Sequence, residues 1–334
     1  MKTVINYLGD RIGNGGVEAL IANLSTAIDK EKIDFKVVAN YKSNNIYNSF
    51  FDENDICVIY LNEDYRGFTD KIKKAYSFFK NHQDAILWIH ASSAGMYQYV
   101  FLAHVAGVKK IVYHIHAIAE ARNTGWRRYK NNIMGKICWK IPALNVACSK
   151  YAGEKAFCGH AFKVIHNGID IKRFEFNCQA RDEIRSKYEI GNYFLIGQIG
   201  RLSYEKNQSY TVDLLRECVN RKFPVKAMFV GDGNDLDQLK KKVSENGLDK
   251  FVVFVGATDN IEKFYQAFDM FIFPSLHEGL GIVALEAQAS GLPVLCSENI
   301  LEDVFVSDNI WKCELEDVDS WINQVDMFTK QASS

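Results

Sequence analysis

Pro274-Ser-Leu-His-Glu-Gly-Leu-Gly-Ile-Val-Ala-Leu-Glu286 carries two glutamates eight residues apart, Glu278 and Glu286. Gly279 and Gly281 follow the first carboxylate at once, where missing side chains let backbone N–H groups approach a ligand, and an apolar helical run then carries the second. The segment reads as a loop feeding a helix N-terminus, with one acid on the loop and one a little over two turns into the helix. A phosphorylated ligand with hydroxyls on both sides of its phosphates suits that construction. The plainer alternative is a solvated Glu286 and glycines that merely turn the chain.

Outward from this stretch, short apolar strands alternate with helical segments along the whole chain. Lys2–Leu8, Lys36–Ala39, Ile56–Tyr60, Ala85–His90, Lys110–His114, Leu144–Cys148 and Lys163–His166 read as strands in the first half. Phe194–Gly200, Val225–Val230, Phe251–Val255, Met270–Phe273 and Pro293–Cys296 do so in the second. Many of these runs are apolar at consecutive positions, so both faces must be covered, as in parallel strands sandwiched by helices. The pattern predicts an α/β protein of two doubly wound Rossmann-like domains, residues 1–170 and 171–334, facing a shared cleft. The charged stretch Asp170–Gly191 carries no strand and is the expected link. Ligands of such folds gather beyond the carboxyl ends of the strands.

Glycine turns follow several of those strands. Gly9-Asp-Arg-Ile-Gly-Asn-Gly-Gly-Val-Glu18 opens a helix that can receive phosphate, but it is not a G-x-G-x-x-G fingerprint. Gly200-Arg-Leu-Ser-Tyr-Glu-Lys-Asn207 sets two cations on one loop and lacks the Lys-Ser/Thr pair of a P-loop, which disfavours ATP chemistry. Arg201 and Lys206 there form a cationic clamp suited to a diphosphate. Further turns lie at Gly231-Asp-Gly-Asn234 and Gly256-Ala-Thr-Asp-Asn260.

Composition narrows the class. The chain has 334 residues, 48% hydrophobic, with four prolines, which fits two folded domains and no disordered tail. Its eight cysteines include no C-x-x-C pair and read as reduced thiols of a cytoplasmic protein, without disulfides or zinc. The N-terminus is a short strand reaching Gly9, with no room for a signal-peptide core, and no apolar run approaches the roughly 20 residues of a membrane span. Charge is uneven: residues 1–170 carry 22 Lys and Arg against 15 Asp and Glu, the remainder 18 against 26. No acid lies between Glu120 and Glu154, and Arg122, Arg127, Arg128, Lys130, Lys136 and Lys140 interleave with Trp126, Tyr129, Ile133, Ile137 and Trp139. That stretch, Arg122–Lys140, reads either as a helix lying on the anionic inner membrane surface, at about 1 kcal/mol per cation, or as a solvated or interdomain face. No nucleic-acid-binding signature accompanies it.

Several motifs, spaced in order over nearly the whole chain, resemble the glycosyltransferase group 1 family, GT4 with the GT-B architecture. They are Glu278-x7-Glu286 after Pro-Ser-x-x-Glu-Gly-x-Gly, Gly200-Arg-Leu with Lys206-Asn207, Val164-Ile-His-Asn-Gly-Ile-Asp170, Gly256 and Gly15-Gly16-Val-Glu18. Ala147-Cys-Ser-Lys-Tyr-Ala-Gly-Glu154 and Tyr113-His-Ile-His116 are more narrowly similar to the bacterial capsular and exopolysaccharide branch. The resemblance implies a retaining hexosyltransferase that moves a hexose or N-acetylhexosamine from a nucleotide-diphosphate sugar, with UDP as the default, to a glycan or lipid-linked acceptor in capsular, exopolysaccharide or O-antigen synthesis.

Residue by residue, the resemblance implies that Arg201 and Lys206 hold the pyrophosphate and stabilise the leaving group. Glu286 would accept from the ribose hydroxyls. Glu278 would lie against the transferred sugar, with the amides of Gly279, Leu280, Gly281 and Ile282 on its hydroxyls and distal phosphate. Gly15 and Gly16 would close over the phosphates from the first domain, Gly231 would belong to the donor site, and Thr258, Asp259 and Asn260 would flank the base. His116 would face the sugar as a hydrogen-bond donor, whereas His114 is the better candidate for a buried core histidine. No catalytic metal or resident cofactor is expected. Ser92, Ser93, Arg122, Asn123 and Arg127 are acceptor-side candidates from loop position. The family's chain continues beyond Trp321–Lys330 with a helix that returns to the first domain; with the sequence ending at Ser334, looser closure is expected. Two rivals use the same diphosphate site: a sugar-nucleotide epimerase, which needs no acceptor, and a non-catalytic nucleotide-sugar-binding subunit, which has no reason to keep all four charged residues.

Overall fold

The computed structural model describes residues 1–13, 15–43, 47–62, 67–92, 96–116, 135–136 and 139–333. The chain divides into two compact units, Met1–Gly168 and Ile169–Ser334. In the first, β1 (Lys2–Tyr7), β2 (Ile33–Tyr41), β3 (Cys57–Asn62), β4 (Ile86–Ala91), β5 (Lys110–Ile115), β6 (Ala143–Ala147) and β7 (Lys163–Val164) form one sheet. Its order is β3-β2-β1-β4-β5-β6-β7, with every pairing parallel. In the second, β8 (Phe194–Ile199), β9 (Val225–Val230), β10 (Val252–Gly256), β11 (Met270–Phe273), β12 (Val294–Ser297) and β13 (Ile310–Cys313) run parallel in the order β10-β9-β8-β11-β12-β13. Each sheet grows outward from its first strand in one direction and then reverses, which is the doubly wound topology.

Continuous apolar runs make these strands because helices cover both faces. All six residues of β8 are buried, and Phe194 and Ile196 pack into a core with Val212, Leu215, Phe229, Leu239 and Trp321. In the first unit Ile21, Val37, Ala39 and Phe51 close one side of the sheet against the helices Gly16–Ala27 and Tyr47–Glu53. Two sequence expectations are corrected. β13 was not expected, since Ile310-Trp-Lys-Cys313 lies at the sheet edge with an exposed lysine and is not a continuous apolar run. Asp170–Gly191 is not a bare link but contributes the helices Ile171–Phe174 and Cys178–Lys187 to the second unit.

The charge in that segment explains why it packs. Arg181 donates to the carbonyls of Gln266, Ala267 and Phe268, the free end of helix Ile261–Ala267, and pairs with Asp269 at 2.5 Å. Arg185 reaches the other Asp269 oxygen at 2.9 Å, which also accepts the Leu195 amide at 2.7 Å. Cations at a helix C-terminus satisfy carbonyls that the helix leaves unpaired. Among the described residues, no helix is long and apolar enough to cross a membrane.

Candidate functional site

In the second unit the sheet order reverses between β8 and β11, so the loops leaving these adjacent strands emerge side by side. The Leu276 amide donates to the Glu205 carbonyl at 2.8 Å, Asn207 Nδ2 to the Pro274 carbonyl at 3.1 Å, and Gln198 Nε2 to the Lys206 carbonyl at 2.8 Å. Stitched in this way, the loops bring Lys206 Nζ to 2.5 Å from Glu278 Oε1 across 72 positions of sequence. Side-chain exposures of 24% and 9% leave the pair only partly solvated. A charge-assisted bond in such a place is stronger than one on an open surface and harder to break one-sidedly. Arg201, on the same loop, is exposed and forms no ion pair among the described residues, so its guanidinium is available to an anion.

The β11 loop enters helix Ile282–Ala289 through Gly281, whose φ of +92° favours glycine and where a notional Cβ would crowd Phe273 at 3.1 Å. The side chains of Leu280 and Ile282 are buried, so what the tetrad Gly279 to Ile282 offers a ligand is main chain. Glu286 lies on that helix at 4% exposure and accepts from Tyr265 Oη at 2.8 Å. Burial raises its pKa to about 7, only partly offset by the Tyr265 bond and the Arg173 charge. It is therefore not the solvated residue of the plainer reading.

Thr258, Asp259 and Asn260 follow β10, and Arg173 ties their loop down through the Asp259 carbonyl at 2.8 Å and Glu262 at 2.7 Å. Gly231 serves the fold directly: a Cβ there would sit 2.0 Å from the Gly200 carbonyl oxygen, because the ends of β8 and β9 nearly touch.

In the first unit, Gly15 caps and Gly16 opens helix Gly16–Ala27. The Glu18 carboxylate accepts the Gly13 amide at 2.8 Å and the Gly15 amide at 3.1 Å, so of the two glycines expected to meet phosphate, Gly15 already has its amide engaged. His116, just past β5, is nearly as buried as His114, against the expectation that separated them. His90 at the end of β4 completes a trio: His90 Nδ1 is 3.0 Å from His116 Nε2, and His90 Nε2 is 3.0 Å from Asn6 Oδ1. Burial holds all three imidazoles below their ordinary pKa, His114 at about 4. Ser92 is exposed after β4; Ser93, Arg122, Asn123, Arg127 and most of the basic stretch lie outside the described residues.

Asn6, His90, Asn167 and Tyr265 were missed. Two of them had a signal, since Asn6 and His90 fall at the period of two that puts polar side chains on one face of apolar strands.

The profile for glycosyl transferases group 1 matches residues 180–332, and that for glycosyltransferase family 4 matches residues 14–173. The chain is 27% identical over 331 residues to the putative glycosyltransferase EpsF of Bacillus subtilis, covering 91% of this chain and 81% of that protein. It is 27% identical over 262 residues to the Escherichia coli UDP-Gal:alpha-D-GlcNAc-diphosphoundecaprenol alpha-1,3-galactosyltransferase, covering 74% of this chain and 67% of that one. Anabaena Alr3699/HepE in complex with UDP and glucose superposes with a TM-score of 0.79 at 22% identity, over 98% of this chain and 92% of the other.

Proposed function

The chain belongs to the group 1 glycosyltransferases, of GT-B fold, and from that premise we propose that it transfers a hexose or N-acetylhexosamine from a UDP-sugar, with retention, to a glycan or lipid-linked saccharide in bacterial capsular or exopolysaccharide synthesis. Transfer of sugar from a nucleotide sugar follows from the family. The donor, stereochemistry and acceptor are our reading. The observation that carries it is the juxtaposition of Lys206 and Glu278 at the switch point of the second sheet, a cation and an acid on facing loops.

In this reading Arg201 and Lys206 take the two phosphates and neutralise the charge that grows on the departing nucleoside diphosphate, so no metal is called on. Lys206 then exchanges Glu278 for phosphate, and Glu278 is freed to accept a sugar hydroxyl. Main-chain amides from Gly279 to Ile282 hold the sugar and distal phosphate, and Gly231 stays at the donor-side turn it builds. Glu286, in its ionised form, accepts from the ribose, and Thr258 and Asn260 flank the base. Gly15 and Gly16 close on phosphate, the Gly15 amide once Glu18 yields it, and His116 contacts the sugar. The acceptor hydroxyl attacks the anomeric carbon on the face the phosphate leaves; the carbon–phosphate oxygen bond breaks, and that oxygen takes the hydroxyl's proton.

Support for UDP comes from the Anabaena protein, which is found in complex with UDP and glucose, and from the E. coli UDP-Gal-dependent galactosyltransferase, and support for the exopolysaccharide setting from EpsF. A lipid-linked acceptor would give Arg122–Lys140 a role at the inner membrane surface. A thermal-shift panel of nucleoside diphosphates tests the donor, since a ligand that binds only the native state raises its melting temperature. UDP should shift the transition and GDP should not; the reverse would overturn the donor. Conversion of UDP-sugar without any acceptor would instead indicate epimerisation.

A further inference from the structure

We infer that His116 is locked in one tautomer, protonated on Nε2, by a hydrogen-bond chain from the Lys36 carbonyl through Asn6 and His90, so that it meets saccharide hydroxyls with a bare Nδ1 beside Asn167 Oδ1. Asn6 and His90 are thus positioning residues; the saccharide contact rests on the function proposed above, the tautomer does not.

Strand alternation puts Asn6 of β1, His90 of β4 and His114 of β5 on one face of the first sheet, with His116 continuing the same period past the strand. Asn6 Nδ2 donates to the Lys36 carbonyl at 3.3 Å, which orients the amide and turns Oδ1 to His90 Nε2 at 3.0 Å. An amide oxygen only accepts, so His90 carries its proton on Nε2. Burial and the neighbouring His114 keep His90 neutral, and its Nδ1 is therefore a bare acceptor. His116 Nε2, 3.0 Å away, must donate to it. His116 is neutral for the same reasons, which leaves its Nδ1 without a proton. The opposite tautomer would press two lone pairs together at His90 and Asn6, or flip the Asn6 amide and set its oxygen against the Lys36 carbonyl. Either leaves a buried polar group unmatched.

The far end of the chain is left for a ligand to complete. Asn167 lies beside His116 and would stabilise its protonated form, yet neither His116 Nδ1 nor Asn167 Oδ1 has a hydrogen-bond partner among the described residues. Both residues are 6% exposed. Two adjacent acceptors with no proton between them call for two donors, which neighbouring hydroxyls of a sugar ring supply. His116 is then an acceptor toward sugar, the reverse of the donor role implied by family resemblance.

The same three imidazoles offer ring nitrogens within 4.8 Å of one another, the spacing of a divalent-cation site. The 3.0 Å contact favours the relay, because a proton shared between His90 Nδ1 and His116 Nε2 engages the two facing nitrogens that a metal would need.

Long-range proton–nitrogen NMR of the 15N-labelled full chain at pH 7.5 reads the tautomers directly, without substrate. His90 and His116 should both be protonated on Nε2 and bare on Nδ1. His90→Leu should let His116 sample both tautomers. His90→Asn, whose Oδ1 falls near the lost Nδ1, should restore the Nε2–H form. With UDP-sugar and acceptor, kcat/KM should fall about tenfold or more in His90→Leu and largely recover in His90→Asn, the loss expected for one mismatched buried polar group, with UDP affinity unchanged in both. A wild-type His116 protonated on Nδ1 would overturn the inference even if neither variant folds. So would one equivalent of divalent metal retained by the wild type and lost from His90→Leu. Wild-type protein with these tautomers but no turnover of any UDP-sugar would sink the functional reading and leave the relay standing.

Discussion

Replacing Glu286 by glutamine isolates the cost of an acid buried on helix Ile282–Ala289. The folded protein holds this carboxyl at about 7 against an ordinary 4.5, and burial is the main cause. Below about pH 4.5 both folded and unfolded chains carry the proton and the penalty is absent. As pH rises from there to 7 the unfolded chain releases the proton while the folded one keeps it, so stability falls. Above 7 the folded carboxyl ionises too, and the deficit stays at about 3 kcal/mol, from 1.36 kcal/mol per unit of displacement. Glu286→Gln keeps an acceptor for Tyr265 and has nothing to titrate. Melting curves of wild type and variant should therefore coincide near pH 4.5 and separate by about 6–12 °C at pH 8, with the variant the more stable, for a unit of this size. If the proposed ribose contact is correct, the same variant binds UDP more weakly at pH 8, and wild-type UDP affinity rises with pH up to about 7. Melting curves that run parallel at every pH would refute the burial argument.

Other consequences are more local. Tyr265→Phe removes the bond that favours the ionised carboxylate, so the loss of wild-type stability with pH should extend above pH 7, followed by the same denaturation series. Lys206→Met leaves Glu278 buried without its partner: we expect a loss of about 1–3 kcal/mol in urea denaturation and at least a hundredfold fall in transfer, and full transfer would remove Lys206 from the site. Gly231→Ala drives a Cβ to 2.0 Å from the Gly200 carbonyl oxygen; the unfolding free energy from urea titration should drop by several kcal/mol whether or not nucleotide is present, whereas an unchanged value would mean that the glycine serves only ligand approach.

Consecutive apolar runs such as Ile86-Leu-Trp-Ile89 and Met270-Phe-Ile-Phe273 were sufficient for two parallel α/β sheets, because a strand covered on both faces is mostly apolar and that is visible residue by residue. Glycine loops after those strands, with Arg201, Lys206, Glu278 and Glu286 near them, were equally readable, since short-range spacing sets which residues share a loop or a helix face. β13 escaped because an edge strand with an exposed Lys312 breaks the apolar run, and the helices at 171–187 escaped because their charges pack on partners more than 80 positions away. Only the folded chain decided that Lys206 and Glu278 pair, that Glu286 is desolvated against Tyr265, that Glu18 holds the amides of its glycine loop, and that Asn6 and His90 orient His116. Protonation state, tautomer and pairing depend on which groups meet in low dielectric across strands distant in sequence, and a pattern of residue types along one chain does not encode those meetings.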